Sequence, residues 1–128
     1  MTHVTSLELS KRLKELGVKQ ESLFYWINFE ENRPEVCYFR ETNFTNTHKI
    51  SAFLASELGE MLPYYIEYDS DKPGDQIYGQ MEFAKCADGE WWICYFNGPT
   101  QKEKSMADTL GKMLIHLIEK DLVNVRKD

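Results

Sequence analysis

The chain has few of the residues that metal centres, redox motifs and phosphate-binding loops require. Its 128 residues include three cysteines, and no two of them form a C-x-x-C pair. A zinc ribbon and a thioredoxin-like redox motif are therefore excluded. The seven glycines are scattered, and neither G-x-G-x-x-G nor G-x-x-x-x-G-K-[ST] occurs, so both common phosphate-binding loops are missing as well.

Positive charge is also scarce. Lys and Arg together number 15, against 21 Asp and Glu, which gives a formal net charge of −6 at neutral pH. This acidic balance disfavours general affinity for the phosphate backbone of nucleic acids. No apolar run approaches transmembrane length, and the first sixteen residues lack the basic-then-apolar pattern of a secretory signal. We therefore expect a cytoplasmic protein without a membrane or nucleic-acid partner.

Groups that could perform catalysis are not arranged in any recognisable motif. The histidines are His3, His48 and His116, and none has a nucleophile or a second base at a known spacing. Glu57 and Glu60 could serve an enzyme that uses scattered carboxylates, but both fall on one short predicted helix and fit its solvated face. We predict no catalytic residue, and a binding protein is favoured over an enzyme.

One stretch resembles the start of a calcium-binding loop. In the segment 69–75 (DSDKPGD), Asp69 and Asp71 stand at the first and third loop positions. Pro73 and Gln80 occupy the fifth and twelfth positions, where ligands are required. The segment is therefore predicted to be a solvated turn, and the sequence predicts neither a metal site nor a cofactor.

The clearest structural pattern is a β-hairpin in residues 80–96. Asp88-Gly89 between two alternating apolar runs is typical of a two-residue type I′ turn. With these two residues as the loop, Cys86 faces Trp91 across the hairpin. This register predicts one core face, which consists of Met81, Phe83, Trp92, Cys94 and Phe96.

The other face of the predicted hairpin is also rich in apolar side chains. It holds Trp91, Ile93 and Tyr95, which is more apolar surface than a sheet usually leaves in water. Either a helix of the same chain or a partner must cover it. We therefore take Trp91, Ile93 and Tyr95 as the candidate interface, with a protein partner or a second copy as its occupant. A one-residue slip in register would exchange the two faces.

The remaining patterns predict a single α+β domain spanning residues 1–128. Thr5 and Glu8 are expected to cap the first helix, and Ser105 and Asp108 the last one. The predicted order is α-β-β-α-β-β-β-α, an antiparallel sheet from two hairpins plus a short strand, with helices interleaved. The segments are a helix over 5–16, strands over 23–29 and 35–40, a loop over 41–49, a helix within 50–62 that begins near residue 53, a strand over 64–68, the hairpin, and a helix from 105.

A helix-turn-helix motif is the main alternative. Residues 9–27, from Leu9 to Ile27, can be fitted to this motif with Gly17 in the turn, which would make the protein a DNA-binding regulator. The second half of the segment, FYWINF, prefers a strand. Arg12 also falls where the motif needs an apolar residue.

Three segments carry a resemblance to a protein family. The opening SLELSKRLKELGVKQESLFYW, the central LASELGEMLP and the ending ADTLGKMLIHLIEKDLV resemble a group of small proteins without an assigned activity. These proteins are encoded in bacteriophages and prophages, notably of Bacteroides-type gut bacteria. The resemblance covers most of the chain but involves core and capping residues, so it transfers no catalytic or binding residue. It implies a phage-related accessory protein, which we expect to act as a non-enzymatic protein-binding or self-associating module.

Overall fold

A computed structural model describes residues 3–30, 33–38, 49–69, 76–96 and 98–123. The described chain contains three helices and two antiparallel sheets, which confirms the predicted α+β class. The predicted elements occur in the predicted order, and two short strands, β3 and β7, are added to them. The elements are α1 (Leu7–Glu15), β1 (Phe24–Ile27), β2 (Glu35–Tyr38), β3 (Ile50–Ala52), α2 (Ala55–Met61), β4 (Tyr65–Asp69), β5 (Gln76–Lys85), β6 (Trp91–Tyr95), β7 (Thr100–Glu103) and α3 (Met106–Glu119).

The two predicted hairpins lie in different sheets. In the first sheet the strand order is β2-β1-β3, and in the second it is β4-β5-β6-β7. The added strands are short, and β7 has the polar sequence TQKE, so neither shows an apolar alternation that would predict it. Most of the predicted loop over 41–49 and most of the segment 69–75 lie outside the described residues, as does His48.

Helix α1 (Leu7–Glu15) is shorter than the predicted 5–16 by two residues at its start and one at its end, and Gly17 follows its C-cap as predicted. Its N-cap is Ser6, whose hydroxyl accepts from the amide of Leu9 at 3.4 Å. At the other end Gly17 has a φ of +86°, and the amide of Val18 donates to the carbonyl of Leu13 at 3.1 Å. This is the Schellman arrangement that a glycine after a helix predicts.

Thr5 was predicted to cap α1 but serves a buried polar network instead. Its side chain is fully buried, with its hydroxyl 2.7 Å from the hydroxyl of Ser10. The same hydroxyl accepts from the amide of Phe53 at 3.1 Å, and the indole N–H of Trp26 donates to the carbonyl of Thr5 at 3.0 Å. These bonds fix the segment before α1 against the first sheet and against the segment that leads into α2.

Helix α3 forms the centre of the core. Ser105 caps it as predicted, because its hydroxyl accepts from the amide of Asp108 at 3.1 Å. The carboxylate of Asp108 does not return to the cap but accepts from the amide of Ser6 at 2.8 Å, which joins the beginnings of α1 and α3. Helices α1 and α2 and the strands β6 and β7 all contact α3. The predicted apolar stripe is buried, and it consists of Leu110, Met113, Leu114, Leu117 and Ile118.

The register of the β5–β6 hairpin differs by one residue from the prediction. Met81 pairs with Tyr95, and Phe83 pairs with Ile93. The loop has three residues, because the amide of Cys86 donates to the carbonyl of Glu90 at 2.7 Å. Within 86–90, only Gly89 has a positive φ (+89°), whereas a type I′ turn needs positive φ at both central residues. The predicted faces of β6 are therefore exchanged.

Candidate functional site

The corrected register places most of the candidate interface inside the protein. Ile93 has no exposed surface and Tyr95 is 1% exposed, and both belong to the core around α3. The hydroxyl of Tyr95 donates to the carbonyl of Pro63 at 2.6 Å, and burial raises the pKa of Tyr95 to about 12. The prediction that Ile93 and Tyr95 form an interface is therefore wrong. Its physical cause is the three-residue turn, which rotates β6 so that these side chains face α3.

Trp91, the third residue of the candidate interface, is half-buried at the end of the same face. Its ring stacks on the ring of Phe83 with 5.4 Å between the centroids, and the ammonium of Lys85 lies 5.6 Å from the indole centre. Trp91 also lines a cavity of about 480 Å³ between the beginnings of α2 and α3. Of the three predicted residues, Trp91 alone reaches a described cavity.

The opposite side of the second sheet, here named the outer face, is built from three rows of side chains across the strands. The described helices do not pack on this side, because α3 lies against the face that holds Ile93 and Tyr95. Phe96 on this face is 60% exposed, while Trp92 and Cys94 are half-buried. The rows, read from the registers, are Tyr65–Gln80–Phe96, Glu82–Cys94–Thr100 and Ala84–Trp92–Lys102.

An apolar stripe therefore runs along β6 on the outer face, with charged residues on both sides. Trp92 and Cys94 belong to the stripe because alternate residues of a strand share one face. Phe96 follows the last residue of β6 and extends the stripe, because its amide donates to the carbonyl of Gln80 at 3.0 Å and so continues the pairing with β5. Glu82 lies beside the stripe on β5 and Lys102 on β7. The predicted register places the stripe in the core, whereas the observed register places it on the outer face. The alternation of residues along β6 predicts that these side chains share one face. The length of the turn decides whether that face is in the core or on the outside.

Cys94, in the middle of the stripe, is a poor nucleophile. Burial raises the pKa of its thiol, and the nearby carboxylate of Glu82 raises it further. Because the thiolate is the reactive form, a raised pKa reduces its reactivity at neutral pH. Cys94 and Cys86 are both half-buried cysteines without a disulfide. The stripe is therefore suited to contact rather than to covalent chemistry.

The tip of the hairpin is held by charged groups. Lys102 donates to the carboxylate of Asp88 at 2.9 Å and lies 3.6 Å from that of Glu90. The hydrogen bond from Lys102 lowers the pKa of Asp88, and the same bond raises the pKa of Lys102. All three side chains are accessible to solvent, so these pairs order the tip more than they stabilise the fold.

The described residues contain no arrangement typical of a metal or DNA site. No group of three or more His, Cys, Asp or Glu in the described ranges is placed to hold a metal ion. The helix-turn-helix alternative lacks its second helix, because Phe24–Ile27 is strand β1. Glu57, a candidate scattered carboxylate, accepts from the amides of Leu54 at 2.8 Å and Leu23 at 3.1 Å, which is a structural role.

Among the described helices, the longest is α3 with 14 residues, and none is long and apolar enough to cross a bilayer.

Comparisons of the chain with protein-family models, with curated proteins and with solved structures find no match. The outer face and the cavity beside Trp91 are the two features of the described chain that suggest a function.

Proposed function

We propose that the protein is a binding module that associates with a second copy of itself through the outer face of the β4–β7 sheet. The observation that carries this proposal is the apolar stripe of Trp92, Cys94 and Phe96 on a sheet face that the described helices leave uncovered. A phage-encoded accessory role, which the sequence resemblance implies, is part of the same proposal.

The stripe has the composition of an interface core. Protein interfaces are enriched in aromatic residues at their centre and place charged residues at their rim. Trp92 and Phe96 provide the aromatic surface, and Glu82 and Lys102 lie at its two sides. Phe96 is 60% exposed in the single chain, so a partner could bury further surface of this side chain. Burial of apolar area of this kind is the main favourable term in association.

The charges on either side of the stripe favour a second copy over an unrelated partner. A twofold axis parallel to β6 places β5 of one protomer over β7 of the other, because this rotation exchanges the two sides of the stripe. Glu82 of each protomer then faces the Lys102 side of its partner. Within the described part of the chain, Glu82 forms no ion pair of its own. This arrangement therefore places opposite charges, Glu82 and Lys102, on facing sides of the two copies.

The test measures the oligomeric state of the full chain by sedimentation equilibrium over a range of protein concentrations. We expect a dimer that Phe96→Gln weakens by at least about tenfold in dissociation constant, because a symmetric interface loses both copies of the ring. The matched control is Leu23→Gln, since Leu23 is also a large exposed side chain (43%) but lies outside the second sheet. This control should leave the dimer unchanged.

Charge reversal tests the predicted geometry. Glu82→Lys should weaken the dimer, and the double variant Glu82→Lys with Lys102→Glu should restore part of the lost affinity, since opposite charges face each other again. A wild-type protein that remains monomeric at the highest concentration measured would refute self-association. Recovery of a cellular protein by the wild type but not by Phe96→Gln would then identify the outer face as a site for a different partner.

A further inference from the structure

The cavity beside Trp91 lies apart from the outer face and is formed by four segments of the chain. The beginning of α2 contributes Leu54 and the beginning of α3 contributes Met106. Lys104, between β7 and α3, and His3, before α1, complete the walls. Its volume of about 480 Å³ is within the range of sites that hold small organic molecules.

The walls of this cavity combine apolar surface with positive charge. Trp91, Leu54 and Met106 provide an aromatic and aliphatic surface, while Lys104 and His3 provide an ammonium and an imidazole. None of the lining residues is Asp or Glu, although the chain has 21 acidic residues and a net charge of −6. An apolar cavity with an ammonium group and no carboxylate in its wall fits a ligand with an apolar body and an anionic end.

Lys104 is available to bind such an anionic end. Neighbouring lysines are engaged, because Lys102 pairs with Asp88 and Lys112 pairs with Glu103. In the described part of the chain Lys104 has no ion pair and no hydrogen bond. The indole N–H of Trp91 has no acceptor there either, whereas the indole N–H of Trp26 has one.

The carboxylates in the first turns of α2 and α3 already have hydrogen-bond donors. Glu57 of α2 accepts from the backbone amides of Leu54 and Leu23, and Asp108 of α3 accepts from the amide of Ser6. Both carboxylates are thus held by backbone donors, and neither Glu57 nor Asp108 lines the cavity.

We infer that this cavity binds a small aromatic carboxylate, with its ring against Trp91 and Met106 and its carboxylate on Lys104. The amides of Met106 and Ala107 line the cavity and add donors, because the first amides of a helix have no acceptor within it and Ser105 caps only the amide of Asp108. This site takes a small molecule, so it is independent of whether the outer face forms a dimer.

The experiment is an NMR titration of the full chain with indole-3-acetate, compared with the neutral isostere indole-3-acetamide. The indole N–H signals of Trp26, Trp91 and Trp92 report the location of binding. We expect the acid to shift the Trp91 signal and the amides of Met106 and Ala107. The amide isostere should bind about tenfold more weakly, because it forms no charge-assisted bond with Lys104.

Three variants define the site. Lys104→Gln should weaken the acid about tenfold and leave the affinity for the neutral isostere unchanged. Lys120→Gln is the matched control, since Lys120 is an exposed lysine at the opposite end of α3. Ser56→Leu places an aliphatic side chain at the cavity wall, so it should abolish binding of both probes.

Equal binding of the acid and its isostere, with no effect of Lys104→Gln, would overturn the assignment. Absence of a Trp91 shift at millimolar acid, in a protein whose spectrum shows it to be folded, would overturn it as well.

Discussion

The buried hydroxyl of Tyr95 gives the most direct test of the fold. Tyr95 is 1% exposed, and its hydroxyl donates to the carbonyl of Pro63 at 2.6 Å. Tyr95→Phe keeps the ring and removes this donor, so the carbonyl of Pro63 loses its partner. We expect the free energy of unfolding at neutral pH to fall by about 1 to 2 kcal/mol.

The effect of this substitution depends on pH with a defined sign. Burial raises the pKa of Tyr95 from 10.0 to about 12, so the folded state favours the neutral phenol. The stability that Tyr95 contributes is therefore fully present below pH 10 and is lost as the pH rises towards about 12. One unit of pKa difference corresponds to roughly 1.4 kcal/mol, so the wild type should lose about 1 kcal/mol relative to Tyr95→Phe by about pH 11.

The assay is urea unfolding of the wild type and Tyr95→Phe at several values between about pH 8 and about pH 11. Tyr64→Phe is the control, because Tyr64 is 70% exposed and loss of its hydroxyl should leave the free energy of unfolding at about pH 8 close to that of the wild type. If the wild type and Tyr95→Phe differ in free energy of unfolding by the same amount at every pH in this range, the hydroxyl is not buried. Such a result would favour the hairpin register in which Tyr95 faces away from α3.

The remaining predictions concern backbone conformation and use the same unfolding measurement. Asp121 follows α3 with a φ of +56° and places a carboxylate at the negative end of the helix dipole, so Asp121→Gly should raise stability by about 1 kcal/mol. A Cβ at Gly59 or at Gly89 would meet no atom within 4 Å, but only Gly89 has a positive φ. Gly59→Ala should therefore raise stability by about 1 kcal/mol, whereas Gly89→Ala should lower it by a similar amount. Changes in the free energy of unfolding of equal size and the same sign in Gly59→Ala and Gly89→Ala would refute the turn assigned at Gly89.

The helices could be predicted from the sequence because their signals are local. Ser105 caps α3 and Gly17 ends α1, and each acts through hydrogen bonds within a few residues. The stripe from Leu110 to Ile118 follows helical spacing without reference to any other element. Such signals depend only on a short segment of the chain, so they predict a helix without knowledge of the rest of the fold.

The faces of the hairpin could not be predicted in the same way. Asp88-Gly89 suits both turns, because Asp and Gly both tolerate the positive φ that a two-residue type I′ turn needs, and a three-residue turn needs a positive φ only at Gly89. Packing decides between them, since the three-residue turn brings Ile93 and Tyr95 under α3. That helix lies outside the hairpin, so the choice of candidate site depended on a long-range contact. The strands β3 and β7 were missed for the same reason, because pairing rather than composition forms them.

The bond between Ser6 and Asp108 has a consequence for synthesis of the chain. It joins residues 102 positions apart, and both α1 and α2 pack on α3, the last helix of the described chain. Contacts this distant in sequence form slowly, because a long loop must close before they stabilise anything. While the ribosome still holds α3, α2 lacks its main docking surface and α1 has only its contact with β3. The nascent chain must therefore remain open to chaperones until α3 emerges, and the core then assembles in a single late step.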